Sequence, residues 1–166
     1  MEICPIFLTR TTLMKSSTDQ TCDPSFRLDN QLCFTIYAAS HAITKAYRLL
    51  LAPLGLTYPQ YLVLLVLLEK GICTVKELGH ALQLDSGTLS PLLKRLETMK
   101  LVTRNRSRTD EREVDIRLTT KGLALRQRAA SVPEQMGCTM RIAAEKRRRL
   151  QQELRVLTEN VSNNIS

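Results

Sequence analysis

The chain has 166 residues, the size of one ordinary domain, and 43% of them are hydrophobic, enough for a core. Aromatics are only 4%, with no Trp, and Gly and Pro number six each, which excludes a collagen-like or loop-rich chain and leaves an aliphatic core. Twenty-four Lys and Arg against 16 Asp and Glu give a net charge of +8, which points to a polyanionic partner, nucleic acid before acidic membrane. Intrinsic disorder, a disulfide scaffold and a large multidomain enzyme all fit these figures poorly.

The N-terminus, MEICPIFLTRTTLMKSS, has Glu2 where a signal peptide wants positive charge, and its apolar stretch is short. Residues 1–24 read as a flexible extension, or as a product of start-site choice with Met14 the true start. Over 29–51, Leu32, Ile36, Ala39, Ile43, Tyr47 and Leu50 recur every three or four residues, which predicts one helical face, ended by Pro53 and Gly55. Thr57 with Gln60 forms a capping box that opens a helix over 58–69. That helix is apolar nearly all round, so burial is expected, and Gly71 stops it. Its longest apolar run, YLVLLVLL (61–68), falls far short of the roughly 20 residues that span a bilayer.

Thr74 and Glu77 form a second capping box, for a short helix to Leu82. The turn QLD (83–85) follows, with Asp85 placed to cap a helix over 86–99 that buries Leu89, Leu92, Leu93, Leu96 and Met99. Pro91 is expected near the first turn, where Pro is tolerated. After Lys100 the period changes to two. VTRNR (102–106) and EVDIRL (113–118) predict a hairpin with Val114, Ile116 and Leu118 on one face. Thr119 or Thr120 starts another helix, interrupted by Ser131 and Pro133. Residues 134–161 read as helical again, with Met136, Met140, Ala143, Leu150, Leu154, Leu157 and Val161 in three-four spacing.

Two short helices joined by a tight turn, then a charged hairpin, is the order of a winged helix-turn-helix. A helix that enters the major groove needs small polar residues in its N-terminal half. DSGTLSP (85–91) offers Ser86, Thr88 and Ser90, with Lys94 and Arg95 behind them to reach bases or phosphates. From Ser86 to Arg108, Lys94, Arg95, Lys100, Arg104, Arg106 and Arg108 stand against Glu97 alone, a net +5. A solvated helix face explains Lys94 and Arg95 but not the adjoining basic hairpin. At the hairpin tip, Arg108 or Arg112 suits the narrow minor groove, with Asp110 to hold an Arg in pose. A second cluster, Arg141 and Lys146 to Arg149 against Glu145, is a net +4 and reads as a solvated helix face with no DNA role.

TVKELGHALQLDSGTLSPLLKRLETMKLVTRNRSRTDEREVDIRLTTKG (74–122) closely resembles the winged-helix core of the MarR family, with DER (110–112) and LTxxG (118–122) as its wing signature. The resemblance implies a mainly α fold with a small β-hairpin wing. It makes 86–100 the recognition helix and Arg112 the minor-groove Arg, supported by Asp110. It also implies a homodimer on double-stranded operator DNA. The domain division expected from it is 1–25 extension, 26–56 N-terminal dimerisation helix, 57–120 winged helix-turn-helix and 121–166 C-terminal dimerisation helices. A core packed within one chain is the alternative for each terminal apolar face.

The five cysteines, Cys4, Cys22, Cys33, Cys73 and Cys138, contain no CxxC pair, so neither a zinc ribbon nor a thioredoxin-type site is signalled. Scattered cysteines suit a reducing cytoplasm. His41 and His80 have no ligand neighbour at useful spacing, so no metal and no cofactor is expected. A lone helical Cys is usually a small core residue. Cys33 differs because Tyr37, Tyr47, Tyr58 and Tyr61 all follow within 28 residues, and phenol hydroxyls can donate to a thiolate. LDNQLCF (28–34), AYRLLLAPLGLTYPQYLVLLVL (46–67) and LDSGTLSPLLKRLE (84–97) resemble the organic-hydroperoxide-responsive OhrR subgroup of that family.

That resemblance implies that Cys33 is the peroxide-reactive thiol. Tyr47 and Tyr58, contributed by the partner chain, would be its hydrogen-bond donors, and Cys138 the resolving thiol of a two-Cys member. Tyr37 and Tyr61 have the plainer reading of packing residues. Cys73 reads as a residue at a helix-helix turn with no family role. The implied function is a DNA-binding repressor, not an enzyme, that releases its operator when an organic hydroperoxide oxidises it. The alternative is a repressor of the same fold released by a small aromatic ligand in the dimer crevice. A thiol peroxidase and an architectural DNA protein are weaker: the first leaves half the chain unexplained, the second leaves Cys33 unexplained.

Overall fold

A computed structural model describes residues 23–106 and 113–164. The chain divides after Ala38 into two compact units, 1–38 and 39–166. The described part of the first holds two 3-10 turns, Pro24–Phe26 and Leu28–Asn30, and the start of helix α1 (Leu32–Leu51). Asp23 caps the first turn by accepting from Ser25 N–H at 2.9 Å. These turns explain why α1 begins at Leu32 and not at 29. Asn30 and Gln31 turn their amides back to the Pro24 and Ser25 carbonyls.

The second unit continues with α2 (Tyr58–Lys70), β1 (Ile72–Thr74), α3 (Val75–Leu82), α4 (Ser86–Thr98), β2 (Val102–Arg106), β3 (Val114–Leu118), α5 (Thr120–Ala129), α6 (Val132–Met140) and α7 (Ala144–Asn164). Both expected capping boxes form. Gln60 Oε1 accepts from Thr57 N–H at 2.9 Å, and the Thr74 hydroxyl accepts from Glu77 N–H at 3.1 Å while Glu77 Oε2 accepts from Thr74 N–H at 2.7 Å. Gly71 ends α2 at φ +81°, a backbone setting that side chains rarely adopt.

The core is aliphatic, as the composition requires. Leu51, Val63, Leu67, Leu78, Leu89, Leu93, Leu96 and Ile116 are all fully or almost fully buried. In α4 the buried Leu89, Leu93 and Leu96 face α2, α3 and the sheet, and Leu92 and Met99 are half-buried. This winged helix-turn-helix leaves the opposite face of α4 exposed. No single helix among the described residues is long and apolar enough to cross a membrane.

Three local expectations need correction. The hairpin is part of a three-stranded antiparallel sheet of order β1-β3-β2, in which Cys73 pairs with Ile116 and Arg104 with the same residue from the other side. Cys73 is therefore buried in a strand and not at a helix-helix turn; three residues are too few to show a period of two. Pro91 is the sixth residue of α4, one turn deeper than expected. Its missing N–H leaves the Gly87 carbonyl without its helical donor, a loss that the three buried leucines outweigh. Finally, 134–161 is two helices. α6 starts at Val132 with Pro133 in its first turn, and Arg141, at φ +50°, breaks the chain before α7. No Gly or Pro marks that break, so the apolar spacing runs through it unseen.

Candidate nucleic-acid interface and thiol site

Asp85 caps α4. Its Oδ1 accepts from Thr88 N–H at 2.8 Å and its Oδ2 from the Thr88 hydroxyl at 2.8 Å. Thr88 N–H, then the hydroxyl, hold the Asp85 carboxyl below its usual range. Thr88 thus has its hydroxyl proton committed to the cap, leaving the oxygen to serve as an acceptor. Ser86, Ser90 and Lys94 recur every four residues, and all three are exposed. Arg95 is exposed beside them. Among the described residues neither Lys94 nor Arg95 is in an ion pair, so both charges remain available to phosphates.

An open groove of about 760 Å³ runs past this helix face, lined by Lys76 and His80 of α3, Ser86 and Ser90 of α4, Arg104 of β2, and Glu113. Arg104 belongs to the basic stretch expected to meet DNA, whereas Lys76 and Glu113 were not singled out in the sequence. Arg104 comes to the groove through strand register, pairing with Ile116 as Arg106 pairs with Val114, and Lys76 comes from α3. Arg106 is exposed further out along β2. Arg117 meets Asp115 at 3.4 Å. Arg108, Asp110 and Arg112 lie outside the described residues.

The base of the wing is fastened to the end of α4. The Thr119 hydroxyl donates to the Lys100 carbonyl at 2.7 Å and caps α5 by accepting from Gly122 N–H at 3.0 Å. Thr119 N–H donates to the Leu101 carbonyl at 3.0 Å, and Lys121 Nζ to the Met99 carbonyl at 2.9 Å. The LTxxG motif is therefore a joint between recognition helix, wing and α5.

Cys33 is exposed on α1 and Cys138 is exposed on α6. Cys73 is 1% exposed, and burial, with repulsion from Glu77 next, pushes its thiol up, which makes it a poor nucleophile. The structure brings the two expected thiol-contacting phenols together. The Tyr47 and Tyr58 rings stack at 4.1 Å with 19° between their planes, and Tyr61 lies 6.0 Å from Tyr47. Burial raises all three phenols above their ordinary range, so each keeps its proton and can donate. Tyr61 is buried in the core, whereas Tyr37 is exposed on α1 and stacks with Phe34 at 6.5 Å. Among the described residues no group of three or more His, Cys, Asp or Glu is placed to hold a metal ion.

A helix with a polar, cationic exposed face, braced by a basic wing, defines a winged-helix DNA-binding transcriptional regulator and not an enzyme. The family described as transcriptional regulator SarA/Rot matches residues 45–128. The chain belongs to that SarA/Rot family, as a MarR-type regulator. It is 53% identical over 107 residues to the organic hydroperoxide resistance transcriptional regulator of Bacillus subtilis (strain 168), covering 64% of this chain and 73% of that one. It is 54% identical over 123 residues to the regulator TtmR of Methylorubrum extorquens (strain PA1), covering 74% of this chain but only 63% of that protein's length. Among solved structures it is similar to AbfR, a protein of Staphylococcus epidermidis. Reduced AbfR bound to DNA matches at 35% identity and a TM-score of 0.71 over 86% of this chain and 97% of that one. The disulfide-formed AbfR matches at 37% identity and 0.57 over 81% and 94%.

Proposed function

We propose that this protein is a cytoplasmic homodimeric repressor that senses organic hydroperoxides through Cys33 and lets go of its operator when oxidised. The observation that carries the reading is an exposed Cys33 in a chain whose Tyr47 and Tyr58 form a stacked pair, together with 53% identity to an organic hydroperoxide resistance regulator. In the homodimer the phenols of one chain donate to the Cys33 sulfur of the other. The exposed apolar positions on α1 and α7 supply the interface.

The Cys33 thiolate attacks the terminal oxygen of ROOH. The O–O bond breaks, the sulfur becomes a sulfenic acid, and the alkoxide leaves as ROH after taking a proton. The thiol of Cys138 from the partner chain then displaces water to give an intersubunit disulfide. The similarity to disulfide-formed AbfR supports such an end state. A disulfide needs Cα atoms within about 7 Å, so if reduced Cys33 and the partner chain's Cys138 lie farther apart than that, closing the bond shifts the helices that carry the thiols. Two recognition helices must meet half-sites about one helical turn apart, so a shift of a few ångström spoils their joint docking. Ser86, Thr88, Ser90, Lys94 and Arg95 are the proposed readers and phosphate contacts, with Arg108, Asp110 and Arg112 at the wing tip.

Gel-shift titration of a palindromic operator tests this. Reduced protein binds and cumene hydroperoxide abolishes binding, whereas Cys33→Ser stays bound. Release of Cys33→Ser by peroxide sinks the sensing assignment. A Cys138→Ser variant that still gives the non-reducing dimer band removes Cys138 as the resolving thiol.

A further inference from the structure

Tyr58 also lines a groove of about 550 Å³ formed by one face of α1 and the turn that enters α2. That volume is in the range of small-ligand sites. His41, Lys45 and Arg48, spaced by four and three, line one wall, the last two with a full positive charge, while Ala42, Leu56 and Pro59 give an apolar floor. Among the described residues no Asp or Glu lines it. The cavities lined by Glu69, by Glu145 with Glu153, by Glu113 and by Glu159 all set an acid beside their bases. Lys45 and Arg48 are exposed, and neither is in an ion pair among the described residues. An unbalanced pair of cations above an apolar floor is complementary to a molecule with an anionic head and an oily body.

We propose that Lys45 and Arg48 make this groove a specificity site for organic hydroperoxides that carry a carboxylate on an apolar body. The acid head sits on the two cations, and the body lies on Leu56, Pro59 and the Tyr58 ring. The proposal rests on the peroxide-sensing reading, because Tyr58 is the residue the groove shares with the thiol. Arg48 grips a carboxylate with two parallel donors, whereas Lys45 acts as a point charge.

The test compares linoleic acid hydroperoxide with its methyl ester on the reduced full-length protein, following loss of free Cys33 thiol. The two probes share tail and O–O bond and differ only in the head. The acid is expected to react about three- to tenfold faster than the ester, the scale of two solvent-exposed ionic contacts. High salt narrows the gap. In Lys45→Gln/Arg48→Gln the ratio falls to one, and in the charge-keeping Lys45→Arg/Arg48→Lys a preference for the acid returns. Equal rates in the unmodified protein overturn the proposal. Equilibrium dialysis of oleic acid, which has no peroxide, reads the groove without Cys33 chemistry. Binding that the Gln pair loses supports the site, and no binding overturns it. If neither hydroperoxide consumes the thiol, the sensing reading falls and dialysis alone decides the groove.

Discussion

Gly122 shows what a single atom decides. A Cβ there would fall far inside contact distance of the Leu101 carbonyl oxygen and lie 3.1 Å from Leu118 Cδ2. The obstacle is backbone and cannot swing away, so Gly122→Ala forces apart the joint between α4, the wing and α5. We expect a loss of about 3 kcal/mol, the upper end of the overpacking range, read as a lower urea midpoint. An unchanged midpoint would disprove the close approach. The glycine of LTxxG was legible as a motif, but the reason for it was not, because Leu101 reaches it only through the fold. The phenols divide in the same way. The sequence marks Tyr47 and Tyr58 by number and nearness to Cys33, while their stacking depends on how α1 meets α2. Thr88 reads as a small polar residue for the groove, yet its hydroxyl turns to Asp85.

Helices announced by caps were legible at the scale of elements. Side chains three residues apart fix the starts of α2 and α3, so no distant contact is needed to see them. β1 was invisible for the opposite reason, since its partners on β3 are some forty residues away and it is three residues long. Pro91 offers a test at this scale. An interior Pro costs a helix about 3 kcal/mol, while stiffening the unfolded chain returns about 0.4–1 kcal/mol. Pro91 is exposed. Pro91→Ala is therefore expected to stabilise the protein by about 2 kcal/mol in urea denaturation. A fall in stability would mean that the α4 backbone is shaped around Pro91.

Several apolar side chains of the molecule find no cover among the described residues. On α1, Leu32 is 63% and Leu49 68% exposed, and on α7, Leu150, Leu154 and Val161 are 39–52% exposed at helical spacing. The sequence gives the stripes but not their burial, because period alone cannot tell a core from an interface. Leu150→Glu with Leu154→Glu is expected to convert a sedimenting dimer to monomer, with unchanged circular dichroism and loss of operator binding. An unmodified protein that stays monomeric at micromolar concentration would refute the homodimer.

The joint at the end of α4 also limits how the molecule can move. Four hydrogen bonds, from Thr119 and Lys121 to the carbonyls of residues 99–101, tie the reading helix to the wing stem and to α5. The helix therefore cannot be re-aimed by itself. Any command that reaches it arrives as displacement of the whole block, the way a key's teeth turn only with its bow, and small rotations at α5 become sideways travel at the exposed serines.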